Sequence, residues 1–521
     1  MNARAKKILL LLLAAALLAF SGRVQNSLDR DRVQLGLTIG ESLQNAPPLL
    51  AFTTVALGGF RGLISNLLWI RANDLQIDDK YFEAAQLAEW ITDLEPHFAQ
   101  VWVYQAWNMA YNISVKFKEN GPGDYSDRWR WVQGGIELLR DRALFYNPDD
   151  ALIYFQLGQF FAHKMGQNQD DGNIFYKQQW AGAMTPFFGA NGTNFDSLIH
   201  PQTAGERTNA MALRDKYKID PAFAKKVDAE YGPLDWRLPE AHAIYWYALG
   251  LERAKENPGM VKPGDFNLTQ LRRGIFQAEQ QAFRHGRIIS NPFTRRVELA
   301  PNLDLIPKVS DSYLQMYAEE TDPGEKARFL KAHRNFLRDA IYFLYENNRI
   351  AEADKWFKYL GEKYPDQPII EKLPDSLPKN LTLDEYVVAV VNIDIGENSQ
   401  ERVTSAVQGF LIHAYQDLAI GQDDRAAGFQ LLAKQVYDHY QAKNPQPRTA
   451  LPPMNDIRNN VLNQMLDTKQ GLPFAARAVI RTQLGMPAET NAPPPAVSTN
   501  AIAPAVLPSS TNSPATNSAG R

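Results

Sequence analysis

Cysteine is absent from the 521 residues. That excludes disulfide scaffolds, thiolate metal sites, cysteine nucleophiles and a lipidated-cysteine anchor. A charge excess of one sign is lacking too: 55 Lys and Arg against 58 Asp and Glu leave a net charge of -3. The broad basic field that accompanies nucleic-acid binding is therefore missing, and no nucleic-acid partner is expected. The local signatures of chemistry are also missing. No glycine-rich run ends in Gly-Lys-Ser/Thr, no G-x-G-x-x-G follows a strand pattern, and no G-x-S-x-G elbow occurs. The eight histidines form neither H-E-x-x-H nor any close pair, so no metal and no cofactor are expected. Strand-like alternation is scarce. The one β-branched run, Val387 to Ile395, follows Thr382 and Asp384, which suit a helix start, and is expected to be a buried helix.

What is present is a chain that should fold. Hydrophobic residues make up 45% and charged residues 22%. Arg4, Lys6 and Lys7 precede an unbroken apolar run from Ile8 to Phe20, the layout of a signal or anchor over residues 1–22. As a helix this run spans about 20 Å, short of the roughly 30 Å hydrocarbon core, so flanking Lys and Arg must snorkel if it stays uncleaved. Residues 23–46 read as a linker. A second apolar stretch, Pro47 to Phe60, is interrupted by Gly58, Gly59 and Arg61 and is expected to be a buried helix of the folded part.

From Leu67 to about Gly485 apolar residues recur at i, i+3, i+4 and i+7, the helical period. Lys118 to Asp127, Leu373 to Asn380 and Asn444 to Pro453 are rich in turn formers and read as connections. Residues 166–235 begin with a mixture of Gly, Asn, Asp and aromatics and are expected to form an irregular insertion. From Pro487 onward the chain is rich in Pro, Ser, Thr and Asn and has no aromatic residue. Such a segment cannot offset the entropy of ordering it, so 487–521 is expected to be a disordered tail.

Ala84, Ala88, Ile91 and Pro96 are spaced 4, 3 and 5 apart, and Ala353, Phe357, Leu360 and Pro365 repeat that spacing. Ala143 and Pro148 are followed by Tyr154, Leu157, Gly158 and Phe161, and Trp246, Leu249 and Gly250 give a partial match. These positions resemble the tetratricopeptide repeat (TPR), a helix pair of 34 residues carrying W-x2-L-G-x2-Y, A-x3-F and P. The resemblance is degenerate. Pro96 to Pro148 is 52 residues, 18 more than one repeat. It implies an all-α solenoid of helical hairpins over 47–165 and 236–372, followed by a further helical region over 373–486. The arrangement also resembles uncharacterised bacterial membrane-anchored repeat proteins, which implies a place at the bacterial inner membrane with the bulk periplasmic, or secretion if the signal is cleaved.

In the frame of that repeat, Val103, Trp107 and Ala110, then Phe155, Gln159 and Ala162, face a concave groove. The groove is apolar and aromatic, and suits another protein presenting a helix or an extended segment. The Lys, Arg and Asn set with which such repeats clamp a peptide carboxylate is not there. A scaffold or adaptor is the expected function. The alternative is an extracytoplasmic glycan-active enzyme with helical hairpins closed into an α/α toroid, suggested by a tryptophan-rich stretch with Asp235 and Glu240, two carboxylates near Trp236. Against that, Asp235 and Pro239 suit a helix start and Glu240 suits a first turn. Because no other stretch is suited to span a bilayer, removing residues 1–22 should yield a soluble, helical protein, checked by centrifugation and circular dichroism; a truncated chain that still needs detergent would place Pro47 to Ile70 in the membrane.

Overall fold

The computed structural model describes residues 60–489 apart from 191, 258–265, 294–296, 371–372, 396–398 and 447–449, together with isolated positions between 17 and 31. The expected anchor, the linker and most of the Pro47 to Phe60 stretch lie outside the described residues. Packing divides the chain into two compact units, 1–101 and 102–521.

The protein is all-α, with one two-stranded sheet among the described residues. In the first unit, α1 (Phe60–Ile77) packs along α2 (Tyr81–Leu94). Ser65, Ala72 and Leu75 are buried on α1, and Ala84, Ala88 and Ile91 on α2. Ser65, Ala72, Ala84 and Ala88 are small, which lets the two helices approach closely. On the other side of α1, Leu63, Leu67 and Ile70 are exposed at i, i+4 and i+7. Among the described residues, no helix is long and apolar enough to cross a membrane.

The second unit contains most of α3 (Ala99–Trp107), then α4 (Ser126–Glu137) and α5 (Ala151–Gln159). Each runs on into a π-helical turn: Asn108–Ile113, Leu138–Ala143 and Phe160–Met165 respectively. The expected irregular insertion is largely helical, with α6 (Asn173–Phe188), α7 (Phe195–Ile199), α8 (Ala204–Tyr217) and α9 (Pro221–Tyr231). The reason is legible after the fact. Asn173, Tyr176, Lys177, Trp180, Met184 and Phe188 are the buried positions of α6 at helical spacing, but three of the six are not plainly apolar, so the stripe is invisible to hydropathy. Helix α8 opens with a reciprocal capping box between Thr203 and Glu206, and α9 has Asp220 as its cap and Pro221 in its first turn.

Next come α10 (Pro239–Glu256) and α11 (Phe266–His285), which pack on each other and on α5. Strands β1 (Arg287–Ser290) and β2 (Val297–Ala300) then pair antiparallel, with Ile288 opposite Leu299. Helices α12 (Ile306–Glu319), α13 (Pro323–Glu346) and α14 (Ile350–Lys363) pack in succession. Buried His333 joins them, 2.9 Å from Ser310 Oγ and 2.8 Å from the Tyr364 hydroxyl. Ala353, Phe357 and Leu360 are buried on α14. The Val387 to Ile395 run belongs to α15 (Leu383–Ile395), where Thr382 and Glu385 form the cap at its start. Helix α16 (Gln400–Ala419) packs on α17 (Asp423–Lys443), α18 (Met454–Leu466) and α19 (Phe474–Gln483). Arg425 of α17 reaches Glu298 of β2 at 2.9 Å and Asp417 of α16 at 3.4 Å. Arg477 of α19 pairs with Glu489 at 2.7 Å, so the ordered chain extends into the expected tail; residues 490–521 lie outside the described ones.

Helix α17 crosses the end of α13 at backbone distance, because Gly428 lies against the Glu346 carbonyl. A methyl group there meets backbone that cannot rotate away. Gly428→Ala should therefore lower stability by about 1–3 kcal/mol, despite the better helix propensity of alanine. Thermal melting checks this; a variant at least as stable as the parent would show that the crossing can widen at no cost.

Candidate functional site

The π-helical turns bring a polar and aromatic cluster together. A π turn closes its hydrogen bond over five residues instead of four, which re-aims the side chains after it. Tyr111, in the turn that ends α3, has its hydroxyl 3.2 Å from His163 Nδ1 in the turn that ends α5. Its ring meets Phe160 edge-on at 5.7 Å and carries the Lys164 ammonium 4.9 Å above it. Trp107 stacks on the outer side of Tyr111, with ring centres 5.6 Å apart.

Lys164 is buried and paired at 2.5 Å with Asp170, which also accepts from the Gly172 N–H at 2.8 Å and the Tyr176 hydroxyl at 3.0 Å. Arg128 approaches the same carboxylate at 3.4 Å. Burial works to raise the Asp170 carboxyl, but the Lys164 ammonium and the two donated hydrogen bonds outweigh it and hold the group below the usual carboxylate range. Burial lowers the Lys164 ammonium, against the pull of Asp170. With its oxygens held by these partners, Asp170 organises the loop between α5 and α6.

The six expected groove residues separate in the structure. Trp107 is 40% exposed, whereas Ala110 and Ala162 are buried. Val103, Phe155 and Gln159 are half-buried, and Phe155 lies 6.0 Å from the ring of Tyr247. The spacings from Trp107 to Ala110 and from Gln159 to Ala162 each cross the start of a π turn, so the straight-helix frame fails after the first two residues of each set.

Asp235 does not cap α10, as the sequence suggests. Leu238 occupies the cap position, and Asp235 forms a two-pronged pair with Arg237 at 2.8 and 2.6 Å. Glu240 does sit in the first turn, but it is 1% exposed and neither carboxylate oxygen has a hydrogen-bond partner. Burial, against the opposing pull of Lys177, pushes its carboxyl up to about 7. Two residues on, His242 lies in a cage of Trp180, Phe161, Trp236 and Phe188. Its Nε2–H donates to the Trp236 carbonyl at 2.8 Å, Nδ1 has no partner, and burial pulls the ring down to about 4. Lys177, which no motif in the sequence marks, is 3% exposed with its ammonium 3.5 Å from Asn173 Oδ1. Its signal was positional: a lysine among the buried positions of a helical stripe.

Elsewhere, a cavity of about 360 Å³ is lined by Glu230, Glu279 and Glu319 together with Tyr231 and Arg272. Glu279 accepts from Ser312 Oγ at 2.6 Å, and burial pushes its carboxyl up to about 8. No three of His, Asp and Glu converge as a metal would require among the described residues. No protein-family model matches the chain, and no curated protein matches it.

Glu240 generates a pH signature. Its folded carboxyl keeps a proton to about pH 7, whereas an unfolded glutamate loses it near pH 4.5. The stability this group contributes is present below the unfolded value and is lost as pH rises through the folded one. Glu240→Gln cannot ionise, so its stability relative to the parent should improve by about 2–3 kcal/mol between pH 5 and 8. Denaturant unfolding at the two pH values checks this; an unchanged difference would mean that the carboxyl ionises normally.

Proposed function

We propose that this chain is a non-enzymatic TPR-like scaffold or adaptor that holds another protein. In this reading the N-terminal segment tethers it to a bacterial inner membrane, with the helical bulk in the periplasm. The observation that carries the reading is Trp107. A tryptophan stacked on Tyr111 yet 40% exposed is ordered before any partner arrives and has apolar surface left to bury. Burial of Ala84, Ala88 and Ile91 on α2, and of Ala353, Phe357 and Leu360 on α14, supports a TPR-like use of those positions. The exposed stripe of Leu63, Leu67 and Ile70 supports membrane proximity for the first unit.

A second reading, an extracytoplasmic glycan-active enzyme, rests on the cavity lined by Glu230, Glu279 and Glu319. Glu279, holding its proton to about pH 8, has the character of a general acid beside a second carboxylate.

One set of variants separates the two. A photoreactive residue at position 107 should crosslink to a discrete protein in native membranes, while one at exposed Glu362 should not. Trp107→Ala should weaken capture of that protein by about 1–4 kcal/mol, with melting unchanged. Identical crosslinks at both positions, or a Trp107→Ala chain that unfolds without a partner, would overturn the scaffold. Loss of a glycan-cleaving activity in Glu279→Gln, with melting unchanged, would establish the enzyme instead.

A further inference from the structure

We propose that a cleft between α6, the β1–β2 hairpin and the start of α10 binds a small monocarboxylate with an apolar body, its head group on Lys177. The cleft has a volume of about 190 Å³. Three elements build it. Helix α6 contributes Ile174, Lys177, Gln178, Ala181, Gly182 and Thr185, a stripe at i, i+3, i+4, i+7, i+8 and i+11 that shares Lys177 with the one that packs into the core. The hairpin contributes Ile288 and Leu299, which face each other across the strands, and Ser290 two residues along the same face. Arg237 and Leu238 close the third side.

The charges select the head group. Lys177 is buried, and its ammonium has three donors but one long hydrogen bond, to Asn173. Glu240 acts on it through space but makes no hydrogen bond with it. Arg237 is held in its two-pronged pair with Asp235, so those two charges cancel. An ammonium at the wall with no hydrogen-bonded counter-ion suits one negative charge, and a phosphate dianion would overcharge it. Buried cations without close partners are costly, and a ligand carboxylate supplies the missing acceptor.

The remaining walls select the body. Ile288 and Leu299 are half-buried and Ile174 is 45% exposed, so apolar surface still faces the opening. At about 30 Å³ for a water-sized group, the cleft of about 190 Å³ takes about six carbon atoms, and the end of a longer chain lies along exposed Ile174. There is free space beside Gly182 on the α6 wall: a Cβ there would meet nothing within 4 Å.

The test is titration of the full-length protein with [1-13C]octanoate, followed by carboxyl NMR. One octanoate should bind per chain, and hexanoate should bind roughly ten-fold more weakly for its two missing methylenes. 1-Octanol, which has the same chain and no charge, should not compete. Lys177→Met should weaken octanoate at least ten-fold. Gly182→Leu, which fills space at an exposed helix position on the cleft wall, should do the same without lowering the melting point. The second variant decides the matter if the first fails to fold. Absence of saturable binding at millimolar octanoate, unchanged affinity in Gly182→Leu, or displacement of octanoate by inorganic phosphate would each overturn the proposal.

Discussion

Tyr247 is the piece on which the centre of the second unit depends. Its ring fills the notch left by two glycines on neighbouring helices, Gly158 of α5 and Gly274 of α11, and a Cβ on Gly274 would lie 2.6 Å from the ring. Neither α5 nor α11 can approach α10 this closely with a side chain at those positions. The spacing of the three helices then sets much else. Phe155 lies against the same ring, and the segment that opens α10 brings Arg237, Glu240 and His242 to the side of α6. One aromatic side chain and two missing ones thus fix the frame in which the buried charges are placed.

Those charges are handled in two ways. Asp170 has four donors around it, and its ion pair with Lys164 holds a loop that would otherwise have little to order it. Glu240 and Lys177 are as deeply buried, yet neither has a close partner. The first arrangement is closed by the protein itself. The second leaves polar capacity unused next to a cleft, which is uncommon in a packed interior and is the property expected of a site that receives something.

Much of the helical architecture was readable from the chain. The period, the loops at Lys118 to Asp127 and Leu373 to Asn380, and the helix over Val387 to Ile395 are all present, the last with Thr382 at its start. Where sequence pattern and fold part company, the causes are physical. Helix α6 buries Asn173, Tyr176 and Lys177 where hydropathy looks for aliphatic residues, so its sequence reads as irregular. The β1–β2 hairpin is four residues a strand, too short for alternation to stand out. Glu240 lies in a first turn, as the sequence suggests, but its burial comes from the packed fold around α10, which no local pattern shows. Of the candidate groove, the aromatic character of Trp107 was legible and its company was not.

The three π turns bear on how this chain should be compared with others. Each amounts to one extra residue accommodated inside a helix without breaking it. A search for a fixed period places its gaps in loops, where insertions are normally tolerated, and so loses register partway along α3, α4 and α5. An alignment that permits a single-residue gap within each of those helices would keep Asn108–Ile113, Leu138–Ala143 and Phe160–Met165 in phase with ordinary α-helical relatives. Detecting distant kin of this protein is therefore a problem of gap placement as much as of residue similarity.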